Sequence, residues 1–158
     1  MKPVLNKKSK FLLVVLRMAI GWHFLYESIH KLTLSDWSAK VFLLNAKGPF
    51  DWIFHSIAEN QNLIVITDYL IPILLFIIGL GLILGLFTQI SLIGGMILLV
   101  IFYLATPPFP GLVYNHGVEG NYLIVNKNFI EFLTMLLLFQ FNSGKVMGLD
   151  RILHRKQN

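Results

Sequence analysis

Residues 69–118, YLIPILLFIIGLGLILGLFTQISLIGGMILLVIFYLATPPFPGLVYNHGV, run for 50 residues without an aspartate, glutamate, lysine or arginine. As one continuous helix this stretch would reach about 75 Å at ~1.5 Å per residue, against a bilayer hydrocarbon core of about 30 Å. It has to cross a membrane at least twice. Phe87-Thr88-Gln89 offers a very short turn, so the two helices it joins are expected to be antiparallel neighbours. Thr106-Pro107-Pro108-Phe109-Pro110-Gly111 then stops the second of them.

Outward from this stretch, the apolar pattern predicts spans over about 11–32, 63–86, 90–105 and 122–141. Pro72 is expected to kink the second, and Asn142-Ser143-Gly144 closes the fourth. The fold expected is an all-α, four-helix membrane bundle forming a single domain. The basic start, with Lys2, Lys7, Lys8 and Lys10, leads into an apolar run that Arg17 interrupts, which reads as an uncleaved first span rather than a signal peptide. Between the first two spans, Trp37, Val41 and Leu44 and then Phe50, Ile53, Phe54 and Ile57 keep helical spacing on either side of Gly48-Pro49. They predict two short amphipathic helices in the membrane interface, anchored by Trp37 and Trp52.

Composition agrees. The chain of 158 residues is 56% hydrophobic and 13% charged, about half the charge of an average soluble domain (roughly 25%). Disorder is excluded and a soluble enzyme disfavoured. With no cysteine, disulfide scaffolds, thiol redox chemistry and cysteine-held iron–sulfur clusters are excluded.

Four spans put both termini on one side. That side collects Lys2, Lys7, Lys8, Lys10, Lys145, Arg151, Arg155 and Lys156 against Asp150 alone. The other holds Lys31, Lys40, Lys47 and Lys127 against seven acids. By the positive-inside rule both termini are expected to be cytoplasmic, in a cytoplasmic (inner) membrane. The basic character is thus a topology signal, and no nucleic-acid partner is expected.

Ionisable groups within a span are costly and face a bundle interior or a cavity. On the first span Arg17, His23, Glu27, His30 and Lys31 fall within an arc of about 140° at ~100° per residue, leaving the other faces to lipid or packing. Glu27, His30 and Lys31 sit in its outer third, level with Asp68 of the second span and with Lys127 and Glu131 of the fourth. His116 and Glu119 hang over the same mouth from the loop before the fourth span. These groups predict a ligand or proton site with acids in excess; the competing reading is a set of register-fixing ion pairs such as Glu27–Lys127 or Lys31–Glu131. Glu27-x-x-His30 lacks the second such motif that a di-iron bundle needs, since Thr134 stands where the other histidine belongs. Neither metal nor haem is expected. Gly81 and Gly85, with Gly94 and Gly95, are expected to seal the tight hairpin between the second and third spans.

Arg17, Gly21-Trp22-His23-Phe24-Leu25-Tyr26-Glu27, His30-Lys31-Leu32, Trp37-Ser38-Ala39, Gly48-Pro49-Phe50 and Glu119-Gly120-Asn121-Tyr122-Leu123-Ile124-Val125-Asn126-Lys127-Asn128 together resemble the DoxX/DoxD family of small bacterial and archaeal membrane proteins. The resemblance covers essentially the whole chain. It implies a four-helix membrane bundle and kinship with the DoxD subunit of a thiosulfate:quinone oxidoreductase. The function expected is therefore a quinone-linked membrane oxidoreductase subunit. Glu27, Asp68 and His30 are its candidate catalytic acid/base groups. Arg17, Trp22, His23, Tyr26, Lys31, His116, Glu119, Lys127 and Glu131 are candidates for binding the headgroup. Electrons would come from a partner oxidoreductase subunit, and a homodimer would enlarge the cavity. The alternatives are a non-enzymatic scaffold or assembly factor for a redox complex, and a small-solute binding or transport protein.

Overall fold

The structure is a computed structural model that describes residues 6–112, 114 and 123–155. Among the described residues all regular structure is helical: α1 (Lys7–Thr33), α2 (Lys40–Leu44), α3 (Asp51–Glu59), α4 (Gln61–Leu84), α5 (Thr88–Ala105), α6 (Lys127–Gln140), α7 (Ser143–Val146) and α8 (Leu149–Arg155). Of these, α1, α4 and α5 are long and apolar enough to cross a membrane, as expected of a multi-pass membrane protein.

Local chemistry explains the boundaries. The side chains of Asn6 and Asn60 accept hydrogen bonds from the first-turn N–H groups of α1 and α4, satisfying donors that a helix start leaves open. Gly85, at φ 64, ends α4 in the left-handed conformation that glycine adopts without strain. α4 runs unbroken through the buried Pro72, and Ser28 Oγ of α1 donates to the Pro72 carbonyl at 2.8 Å.

The last predicted span differs most from expectation. Leu123–Asn126 is turn and extended chain, with Leu123 at φ 67, and α6 starts only at Lys127, where the Asn126 side chain accepts from Phe129 N at 3.0 Å. Its 14 residues reach about 21 Å at ~1.5 Å per residue, short of the bilayer core. An apolar run does not reveal such a late start, because Leu123, Ile124 and Val125 read as span on hydropathy alone.

α1 packs along α4, α4 along α5, α5 along α6, and α6 returns to α1. The closest approach of α1 to α4 is at Gly21 and Gly79, where a Cβ on either would meet the other's carbonyl oxygen at 3.0 Å or less. Phe24, Leu75, Ile78, Leu82, Leu92, Leu99, Met135 and Leu138 fill the bundle core. α2 and α3 close one end of the bundle, here the loop end, through a second cluster that includes Leu43, Phe54, Ala58 and Ala105. Their inward faces are Ala39, Leu43, Phe54 and Ala58, while Val41, Leu44, Phe50 and Ile53 of the predicted apolar sets are exposed.

The opposite end carries the start of α1, the α4–α5 turn, α7 and α8. Asp150 accepts hydrogen bonds there from Phe87 N (2.8 Å) and Thr88 N (2.9 Å), capping α5 from more than sixty residues away. Of the glycines expected to seal the hairpin, Gly81 faces Ser91 and Gly94 faces Ile78, as that reading requires, whereas Gly95 lies closest to Met135 of α6. Gly85 departs from it too, lying against Arg17 and Gly148.

Candidate functional site

A cavity of about 590 Å³ lies beneath the α2–α3 cap at the loop end. Its two walls differ in chemistry. His23, Glu27 and Lys31 come from α1 at a spacing of four residues, so they rise one above the other on a single face. Lys127 and Glu131, also four apart, come from α6, with Asn126 and Asn128 beside them. The facing wall is apolar: Leu70, Ile71 and Leu75 of α4, Leu99, Ile101 and Phe102 of α5. The hydroxyls of that wall are turned back on their own helices, Thr67 Oγ1 donating to the Leu63 carbonyl and Thr106 Oγ1 to the Phe102 carbonyl.

The charged groups are paired across and along the wall. His23 Nε2 lies 3.4 Å from Glu131 Oε1, joining α1 to α6. Lys31 Nζ donates to Glu27, and its ammonium stands 5.8 Å from the centre of the Trp37 ring. Lys127 and His23 both act electrostatically on the Glu27 carboxylate. Neither anticipated pair, Glu27–Lys127 or Lys31–Glu131, is the one formed. The i,i+4 partner on the same helix is nearer for Glu27, because it costs no chain closure. Among the described lining residues two carboxylates face two ammonium groups and one imidazole, so the expected excess of acids is absent. Outside the spans, burial pushes the Tyr114 phenol up, and its hydroxyl donates to the Pro107 carbonyl at 2.8 Å.

The structure thus brings together His23, Glu27, Lys31, Lys127 and Glu131 of the predicted set. Asp68 does not join them: its carboxylate accepts from Ala39 N at 2.7 Å and Ser38 Oγ at 3.1 Å, fixing the start of α2. Arg17 shares the α1 stripe but sits ten residues below Glu27, about 15 Å along the axis. It is 2% exposed at the terminal end, where Nη1 donates to the Ser143 carbonyl at 3.0 Å. Trp22, Tyr26 and His30 form a ladder of rings, with centroids 6.4 and 6.3 Å apart, on an exposed face of α1. Their positions are each one residue before the cavity set, which turns the ladder about 100° away from it. His116 and Glu119 lie outside the described residues.

Sequence reasoning missed the apolar wall and the part played by Trp37. That tryptophan lines the cavity under Lys31, whereas Trp52 is 66% exposed. The signal available for Trp37 is its place one and a half turns beyond Lys31, close enough for a cation–π contact once α1 ends at Thr33. Among the described residues no group of three or more histidine, aspartate or glutamate side chains is arranged to hold a metal ion.

No protein-family model matches the chain, and no curated protein and no solved structure shows significant similarity to it.

Proposed function

We propose that this chain is the quinone-binding membrane subunit of an oxidoreductase, with the quinone headgroup seated in the loop-end cavity. The observation that carries the reading is the two-faced cavity: a wall of paired charges opposite a wall of hydrocarbon, between helices suited to a bilayer. The near balance of charge among the described residues of the polar wall favours a neutral headgroup with hydrogen-bond acceptors over a strongly charged one. Lipid-soluble pockets of this kind commonly lie between the helices of bundles.

Reducing a quinone to a quinol takes up two electrons and two protons, and the electrons are assigned to a redox group on a partner subunit. Within this chain Lys31 and Lys127 supply N–H donors to carbonyl oxygens. His23 and Glu131 form a pair that can hold a proton at Nε2 or at the carboxylate, and Glu27 offers a second carboxylate beside them. The acid/base roles first expected of Asp68 and His30 pass to this pair, because they face the cavity and those residues do not. In this reading α6 and the extended chain before it complete a fourth span, α2 and α3 lie in the membrane interface, and both termini face the cytoplasm of an inner-membrane protein. A second reading, a scaffold for a redox complex, draws on the exposed Trp22–Tyr26–His30 ladder, a face suited to another helix.

Of the three tryptophans only Trp37 lines the cavity, so a Trp22→Phe/Trp52→Phe protein reports on it alone. Titration with a short-chain benzoquinone is expected to quench this fluorescence saturably at a stoichiometry of one per chain. Purely collisional quenching, linear in quinone, contradicts the proposal.

A further inference from the structure

The α4–α5 hairpin is tight near its turn and lines the cavity at its other end. Near its turn, small residues let the two helices meet: Gly81 lies against Ser91, and Gly94 lies against Ile78. At the loop end the two helices carry Leu70 and Ile101. Counted from the helix ends at Leu84 and Thr88, these lie 14 and 13 residues from the turn, so both stand about 20 Å from it and level with one another. Both line the cavity, and both are also exposed on the outside of the bundle, Leu70 by 48% and Ile101 by 39%. As whole residues, His23, Glu27, Lys31, Lys127 and Glu131 of the polar wall are half-buried or buried.

We infer that the cavity opens sideways into the bilayer between α4 and α5, past Leu70 and Ile101, and that its ligand is a long-chain amphiphile whose hydrocarbon tail leaves by this gap. The inference rests on the quinone reading of the same cavity and adds where the tail lies and what length of ligand is selected. The polarity of the two walls sets the orientation. A headgroup is held against α1 and α6, and a tail directed away from them meets only apolar side chains before reaching lipid. Lipid is as apolar as leucine, so a tail in the gap gives up no hydrophobic stabilisation. Pro72, two residues from Leu70, removes a backbone donor from α4 at this level and leaves that part of the helix without one of its rungs.

The test uses the full chain in lipid nanodiscs and two probes, a short-chain water-soluble benzoquinone and the same ring on a long isoprenoid chain. Leu70→Trp and Ile101→Trp, singly and together, fill the gap without touching the polar wall. The expected result is a loss of affinity at least tenfold greater for the long-chain probe than for the short one, whose ring also meets this wall. Unchanged affinity for both probes overturns the portal, as does an equal loss for both. Failure of either probe to bind the unaltered protein overturns the quinone reading itself. Independently of any variant, a long-chain quinone bearing a photoreactive diazirine in its tail is expected to label the α4 and α5 segments around Leu70 and Ile101. Labelling confined to α1 and α6 overturns the inference.

Discussion

At the terminal end of the bundle Arg17 is surrounded by protein: the Ser143 carbonyl accepts from it, Asp150 acts on its charge, and a Cβ at Gly85 would collide with its guanidinium. At the loop end His23, Glu27, Lys31, Lys127 and Glu131 are likewise gathered, yet they surround a cavity. The two clusters share a helix and a stripe. What separates them is the space in front of the charges: where a neighbouring backbone fills it, the charge fixes architecture, and where nothing does, a ligand can complete the set. Asp150 illustrates the first case, since both its oxygens are used to start α5. His23 and Glu131 illustrate the second, tying α1 to α6 across the rim of an open volume.

This contrast makes unequal predictions for the two ends. The largest effect is expected for Arg17→Met, which takes the guanidinium from the Ser143 carbonyl and its charge from the neighbourhood of Asp150, and so frees the α7–α8 segment from α1. It should cost about 3 kcal/mol of stability, read as a fall in unfolding temperature in detergent, while quinone affinity of the folded fraction stays unchanged. A selective loss of affinity with normal stability would move the terminal cluster into the site. Next comes Glu131→Gln, which weakens a charge-assisted contact worth about 1.5–3 kcal/mol. Tenfold or weaker quinone binding is expected, with a fall in unfolding temperature smaller than that of Arg17→Met.

These two variants also mark how far the sequence could be read. The hydropathy pattern locates α1, α4 and α5 to within a few residues, because a bilayer selects on length and apolarity and both are written locally. The start of α6 is hidden, since Leu123–Val125 is apolar but held out of the helix by the turn at Leu123 and the cap at Asn126. On α1 both the angular stripe and the height of Glu27, His30 and Lys31 are legible, yet Arg17, about 15 Å below Glu27, enters the binding set through the shared stripe. Partnerships across the chain are harder still. Nothing near Asp68 announces that Ser38 and Ala39 claim its carboxylate, and nothing near Thr88 announces Asp150. The apolar wall is least legible of all, because Leu70 or Ile101 in a span reads the same whether it faces lipid, core or cavity.

Smaller effects sharpen the same line. Asp68→Ala should remove the side-chain cap of α2 at a cost of about 1 kcal/mol, seen as a modest fall in unfolding temperature. Quinone affinity should move by less than a factor of two, and a larger change would return Asp68 to the site. Least of all is expected from Ser143→Ala. Arg17 uses the Ser143 main-chain oxygen, and Ser143 Oγ is buried without a hydrogen-bond partner, so stability should change by no more than about 0.5 kcal/mol.

The central claim, that the open cluster and not the filled one meets a ligand, is tested most directly by mass spectrometry of organic extracts from gently purified protein. The unaltered chain would be compared with Glu27→Gln, Asp68→Asn and Arg17→Met. The account predicts near-stoichiometric quinone in the unaltered protein, in Asp68→Asn and in the folded fraction of Arg17→Met, and its loss from Glu27→Gln. Quinone at no more than bulk-lipid level in the unaltered protein, or retained in Glu27→Gln and lost from Asp68→Asn, would contradict it.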